Sequence, residues 1–169
     1  MRSFFTLLLC CATIATFTGC VGYQLGSNVP QELRTIHVPA FENQTSYPMV
    51  GAVAAQQFLT TIIEDGTFTP STLEDSRLRL QVIITNCGTR SVRYDRNNVL
   101  IPTEYYLTIY AKVYLFDAQT GKVYIDGKTV KATETMLTRD QYQIALTNTL
   151  PLVSRKLARN ILDELQTIR

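Results

Sequence analysis

Residues 104–116, EYYLTIYAKVYLF, alternate with a period of two over their whole length. Tyr105, Leu107, Ile109, Ala111, Val113 and Leu115 fall on one side, and Tyr106, Thr108, Tyr110, Lys112 and Tyr114 on the other. Successive side chains of a strand point to opposite faces of a sheet. The stretch therefore predicts a long strand with one apolar face that must be covered and one face crowded with tyrosine. The same pattern holds on either side. In Arg77 to Tyr94, Leu78, Leu80, Val82 and Ile84 share one face, while Arg79, Gln81 and Thr85 share the other. Asp117 to Gly121 reads as a turn, and Lys122 to Glu134 as a returning partner strand with Val123 and Ile125 inward.

What covers the apolar face lies further out. Ala55, Phe58, Leu59, Ile62 and Ile63 are spaced i, i+3, i+4, i+7, i+8, the stripe of an amphipathic helix. Gly51, Ala52, Ala54 and Ala55 suit close approach to a sheet. Asn43 to Pro48 reads as a turn with Ser46 as N-cap and Pro48 in the first helical turn, and Asp65-Gly66 stops the helix. Leu33 to Phe41 is expected to form a strand ending at Pro39, and a short strand is expected around Phe68 within the polar connection 67–76. A last helix, Arg139 to Ile168, places Leu150, Val153, Leu157, Ile161, Leu165 and Ile168 on one side, with a kink or restart expected at Pro151. The order is β-α-β-β-β-α. The fold class is α+β: a two-layer sandwich with two helices on one face of a four-stranded, mostly antiparallel sheet.

The N-terminus does not belong to that globule. Arg2 precedes Phe4 to Phe17, an uncharged apolar run shorter than the roughly 20 residues a spanning helix needs. A basic start, a short apolar region and small residues make a secretory signal. Cys10 and Cys11 lie inside it. Phe17-Thr18-Gly19-Cys20 is similar to the lipobox of bacterial lipoproteins, with small residues before a Cys whose thiol takes a diacylglycerol; an uncleaved anchor or simple secretion is the bland alternative. The domains are then 1–19 signal peptide, 20–32 lipidated tether and 33–169 one α/β domain. Val21 after the Cys favours outer-membrane sorting under enteric-type rules. Cleavage would leave only Cys20 and Cys87, too few for a disulfide-stapled scaffold.

The chemical inventory points away from catalysis. The formal net charge of +2 gives no bulk case for nucleic-acid binding. His37, the single histidine, sits in a strand pattern and reads as structural. No HExxH or CxxC is present, so neither a metal nor a cofactor is expected. Cys87 reads as a buried or incidental thiol at a strand bend. Gly121-Lys122 lacks the glycine spacing and the following Ser or Thr of a phosphate loop. Glu64-Asp65, Glu74-Asp75 and Asp163-Glu164 read as solvated surface. Two features exceed background. Arg77, Arg79, Arg90, Arg93 and Arg96 stand against one acid, Asp95, within twenty residues, and arginine suits bidentate phosphate contact. Six of the nine tyrosines lie between Tyr94 and Tyr124, and Tyr106, Tyr110 and Tyr114 share the face away from the helices, as in a contact surface.

In order and spacing these features resemble the LPS-assembly lipoprotein (LptE) family. The residues that carry the resemblance are the lipobox, Gly22-Tyr23-Gln24-Leu25, the run Ile36 to Thr45 (IHVPAFENQT), Val92-Arg93-Tyr94-Asp95 and Asp117 to Val123. Val21, between Cys20 and Gly22, departs from the commoner pattern. The resemblance implies an outer-membrane lipoprotein of a Gram-negative envelope that plugs the LPS-assembly β-barrel LptD, assists its assembly and aids lipopolysaccharide transfer to the outer leaflet. The five arginines would then meet lipopolysaccharide phosphates, and Tyr106, Tyr110 and Tyr114 the barrel wall. Two other readings stay open: a different envelope-assembly or peptidoglycan-associated lipoprotein, and a tethered periplasmic enzyme.

Overall fold

A computed structural model describes residues 29–96, 100–138 and 141–168. Cys20 and the segment Gly22 to Leu25 lie outside the described residues. The first described residue, Val29, is already buried, and a short 3-10 turn, Gln31–Leu33, buries Leu33 beside it. The remaining elements are β1 (Thr35–His37), β2 (Glu42–Asn43), α1 (Val50–Asp65), β3 (Thr69–Pro70), β4 (Leu78–Tyr94), β5 (Pro102–Asp117), β6 (Val123–Leu137) and α2 (Tyr142–Leu165).

The architecture is α+β with both helices on one face of the sheet, as the apolar patterning requires. The sheet, however, has six strands rather than four, in the order β3-β1-β4-β5-β6 with β2 also paired to β4. The β4–β5–β6 meander is antiparallel, but β1 pairs with both β3 and β4 in parallel, and β2 with β4 in parallel. The expected strand Leu33 to Phe41 is split. His37 pairs with Arg79 and Glu42 with Ile83, so five residues of one chain span four of the other. The segment holding Pro39, which has no N–H to donate, takes up the excess between β1 and β2. The short strand near Phe68 is β3.

β5 follows its alternation without interruption: Leu107, Ile109, Ala111, Val113 and Leu115 are buried. β4 buries Leu78, Leu80, Val82 and Ile84, then a bulge between Ile84 and Asn86 reverses parity and brings Cys87 inward. β6 departs from expectation. Val123 pairs with Phe116 on the helix-free face and is 50% exposed, while Ile125 pairs with Leu115 and is half-buried. An extra residue then enters between Ile125 and Lys128, where Gly127 holds φ of 64°. Beyond it the inward positions are the even ones, Val130, Ala132 and Met136. The Asp117 turn closes as read: Gly121 (φ 70°) donates to the Asp117 carbonyl, and the Asp117 carboxylate accepts the N–H groups of Gln119 and Thr120.

α1 buries Val50, Gly51, Ala54, Phe58, Thr61 and Ile62. Ile63, expected in the stripe, is 68% exposed. The helix is pressed between sheet and α2, and its buried arc is rotated toward Ala54 and Thr61. Ser46 is not the N-cap; Met49 occupies that place without a side-chain bond. The turn is held instead by Asn43, whose Oδ1 accepts from the Thr45 N–H and hydroxyl while its Nδ2 donates to the Tyr47 carbonyl. Gly66 (φ 73°) ends α1 as expected. α2 buries Val153, Leu157, Ile161 and Leu165 as read, adds Leu146 and Leu162, and runs through Pro151 without a restart. It also covers the outer edge of the sheet: Lys156 Nζ donates to the Thr133 carbonyl and Asn160 Nδ2 to the Lys131 carbonyl of β6. Capping edge carbonyls in this way blunts an edge strand against unwanted pairing.

Candidate functional site

The two features singled out in the sequence meet on the helix-free face. Arg90 of β4 stands directly opposite Tyr106 of β5, and Tyr106 opposite Thr135 of β6. The next such row but one is Asn86, Tyr110 and Lys131. Directly opposed side chains have Cβ atoms about 4.5–5.5 Å apart, so each row is a contiguous surface. Tyr106 and Tyr110 are each 36% exposed and lie four residues apart, about 13 Å along the strand. Tyr114 differs. Its ring lies against Gly127, where an added Cβ would meet it at 3.3 Å, and it stacks beside Phe116 at 6.4 Å and 12°. Tyr114 therefore packs on the sheet and is half-buried, leaving Tyr106 and Tyr110 as the more available rings.

The five arginines do not form one cluster. Arg77 is committed to Asp117: its Nε donates at 3.0 Å and a terminal nitrogen pairs at 2.9 Å, with a further bond to Gln119. Burial alone would raise the Asp117 carboxyl, but the backbone N–H groups of Thr120 and Gln119, together with Arg77, hold it down at about 2. Arg79 lies exposed at the β1 end of β4, beside a groove of about 500 Å³ that His37, Glu42, Leu73 and Phe116 also line. His37 itself is half-buried, with Nδ1 3.3 Å from the Ser71 carbonyl. Arg79 and Arg90 are separated by eleven residues of strand, roughly 35 Å. Arg90 and Arg93 lie toward the far end of β4 and Arg96 just beyond it, and Arg93 pairs there with Glu104 at 3.3 Å.

That end of the hairpin is amphipathic. Val92, Tyr94, Leu100, Ile101 and Leu137 are all exposed among the three arginines. Beside them lies a groove of about 540 Å³ lined by Arg93, Asp95, Ile101, Thr103, Glu104, Leu137 and Thr138. Lys131 and Thr135, which complete the tyrosine rows, were not singled out in the sequence. The signal was present in the alternation Val130, Lys131, Ala132, Thr133, but it is readable only once Gly127 is recognised as a parity reversal.

Cys87 is buried, and burial pushes its thiol up to about 11, so it stays protonated at neutral pH. Among the described residues no group of three or more His, Cys, Asp or Glu is placed to hold a metal ion. No described helix is long and apolar enough to cross a membrane.

No protein-family model matches the chain, and no curated protein matches it. Solved structures do. A hypothetical protein from Chlamydia trachomatis superposes with a TM-score of 0.59 at 9% identity, covering 79% of this chain and 96% of that one. A putative lipoprotein from Caulobacter crescentus gives 0.52 at 17% identity, covering 76% and 88%. A minor lipoprotein from Acinetobacter baumannii gives 0.51 at 13% identity, covering 79% and 93%. At these identities the likeness is one of fold.

Proposed function

We propose that this chain is a non-catalytic lipoprotein of the Gram-negative outer membrane, anchored through Cys20, that docks in the LPS-assembly β-barrel LptD and assists its assembly and the delivery of lipopolysaccharide. The observation that carries the reading is the helix-free face, where Tyr106 and Tyr110 project beside Arg90 and Lys131 on a rigid, continuous sheet. Rigid amphipathic rings flanked by cations are the composition of a docking surface. The order of motifs from the lipobox to Val123 supports the identity of the partner. The shared fold with proteins described as lipoproteins from Caulobacter crescentus and Acinetobacter baumannii supports the envelope setting. The hairpin end around Arg90 and Arg96 supplies apolar and cationic groups together, which suits a phosphorylated lipid.

The test is co-purification from detergent-solubilised envelopes. A stable complex with a large β-barrel is expected. Tyr106→Ala with Tyr110→Ala should weaken it at least about thirtyfold, the scale of an aromatic hot spot of about 2 kcal/mol, with melting unchanged. Recovery of the lipoprotein alone, or with peptidoglycan, refutes the reading.

A further inference from the structure

Lys112 interrupts the run of rings on β5, standing between Tyr110 and Tyr114 on the helix-free face. It is exposed, and so is Lys131 of β6. Lys112 pairs with Thr129 and Tyr110 with Lys131, so the two lysines are diagonal neighbours on adjacent strands. Cβ atoms in that relation stand about 7–8 Å apart, and like charges at that distance repel. The fold does not offset the repulsion: among the described residues no ion pair engages either ammonium group. Arg90, two rows further along beside Tyr106, is likewise exposed and in no ion pair.

The acids closest in register sit away from this centre. Glu42 pairs with Ile83, the residue opposite Lys112, so it lies two strands away, about 10 Å. Its Oε1 already accepts from Gln44 Nε2. Asp126 occupies the β6 bulge toward the Phe116 end, and Glu104 is held by Arg93. Neutralising either lysine would remove a repulsion and break no ion pair, so folding alone gives no reason for both. A local conflict left uncompensated marks a surface kept for a partner. Shape narrows the partner. The three cations and two rings extend about 20 Å along the strands and about 10 Å across them. Neither groove described above includes Lys112, Lys131 or Arg90. A flat platform does not enclose a small ion, and lysine lacks the planar fork with which arginine grips phosphate. An extended acidic polypeptide surface fits, its carboxylates meeting the cations and its apolar groups the rings.

We propose that the centre of the docking face recognises an acidic polypeptide wall, whose carboxylates meet Lys112, Lys131 and Arg90 around Tyr106 and Tyr110. The inference rests on the docking reading above and adds to it the charge of the partner's surface.

The experiment titrates the full chain in detergent with fluorescent poly-L-glutamate, and in parallel recovers the barrel complex from envelopes carrying the same variants. Lys112→Gln with Lys131→Gln should weaken poly-L-glutamate binding at least about tenfold at low ionic strength, with the gap closing as salt rises. Tm should stay unchanged or rise slightly, because a repulsion is removed. Lys122→Gln with Arg159→Gln, equal in charge but placed at the Asp117 turn and on α2, should change binding by less than about twofold. No binding of poly-L-glutamate, or an equal loss in both pairs of variants, overturns the proposal. So does tighter binding of polygalacturonate, which carries its carboxylates on sugars and would assign the face to an acidic glycan. A barrel complex undiminished in the double lysine variant overturns the proposal and leaves the docking reading standing. A wild-type chain that recovers no barrel, yet binds poly-L-glutamate through these lysines, refutes the barrel and keeps the acidic partner.

Discussion

Replacing Gly51 with alanine sets two known effects against each other. In an exposed helix interior the change would favour folding by about 1 kcal/mol, because glycine is the poorer helix former. Here a Cβ would stand 2.9 Å from the Phe41 carbonyl oxygen and 3.1 Å from Asn43 Cβ. Both obstacles belong to the segment that leads into and forms β2. Asn43 cannot simply step aside, since it holds the turn before α1 and pairs with Ile84 of β4. Overpacking of a tight contact costs about 1–3 kcal/mol. Gly51 sits in the first turn of α1, where the propensity gain is at its smallest, so the clash should win by about 1 kcal/mol. For a domain of this size that is a fall in Tm of roughly 2–4 °C, read by thermal melting followed by far-UV circular dichroism. Gly88→Ala is the internal control. No atom lies within 4 Å of its added Cβ, and it sits in a strand at no special backbone angle, so Tm should hold or rise slightly. A Gly51→Ala protein that melts at or above the wild type would refute the close packing of α1 on the 41–43 segment, and with it the reason that the first turn of this helix is built from small residues.

Two further outcomes separate the arginines. Asp117 has its folded carboxyl at about 2 against an ordinary 3.8, so its contribution to stability is fully present above about pH 4 and is lost as pH falls toward 2. Wild-type Tm should therefore fall more steeply than that of Asp117→Asn over this window, and parallel curves would exclude Asp117 as the source. In binding to immobilised lipopolysaccharide, Arg90→Ser with Arg96→Ser should weaken affinity about tenfold at low ionic strength, with the loss shrinking as salt is raised. Arg77→Ser should leave that salt dependence unchanged and lower Tm instead. An equal loss of binding from Arg77→Ser would put the lipid at the wrong end of β4.

The long strands were legible because each carries runs of alternation, longest in β5 and, in β4, from Leu78 to Ile84 before its bulge. Ten or more positions of β5 agree with one another, and no local turn competes with them. What escaped were events of one or two residues. β2 has two residues, too short for any period to register, and exists because the edge of β4 offers it a partner; β3, equally short and paired to β1, was expected only from the apolar Phe68 beside it. The parity of β6 turned on two one-residue irregularities: Gly127, whose positive φ admits an extra residue between Ile125 and Lys128, and a second shift between Ile125 and Val123 that puts Val123 opposite Phe116 on the helix-free face. Ile63 fits the helical stripe as well as Ile62 does. Only the position of α2 decides which of them is covered, and that is a tertiary fact.

The arginines show why proximity in sequence is a poor guide to a site on a long strand. Five cations within twenty residues read as one patch, yet an extended chain carries them over tens of ångströms. The turn at Asp117 claims Arg77 at one end, and Glu104 engages Arg93 at the other. Arg90 and Arg96 are what the fold leaves near the exposed apolar residues of the hairpin, and Arg90 alone also stands opposite a tyrosine. A surface contact such as Arg93–Glu104, with the arginine 75% exposed, is weak enough to open when a phosphate competes for the guanidinium. The pair Arg77–Asp117 is not, because its carboxylate is buried and is held on the other side by two backbone N–H groups. Pairing strength, more than the number of charges, therefore sorts the structural cations from those that remain open to a ligand.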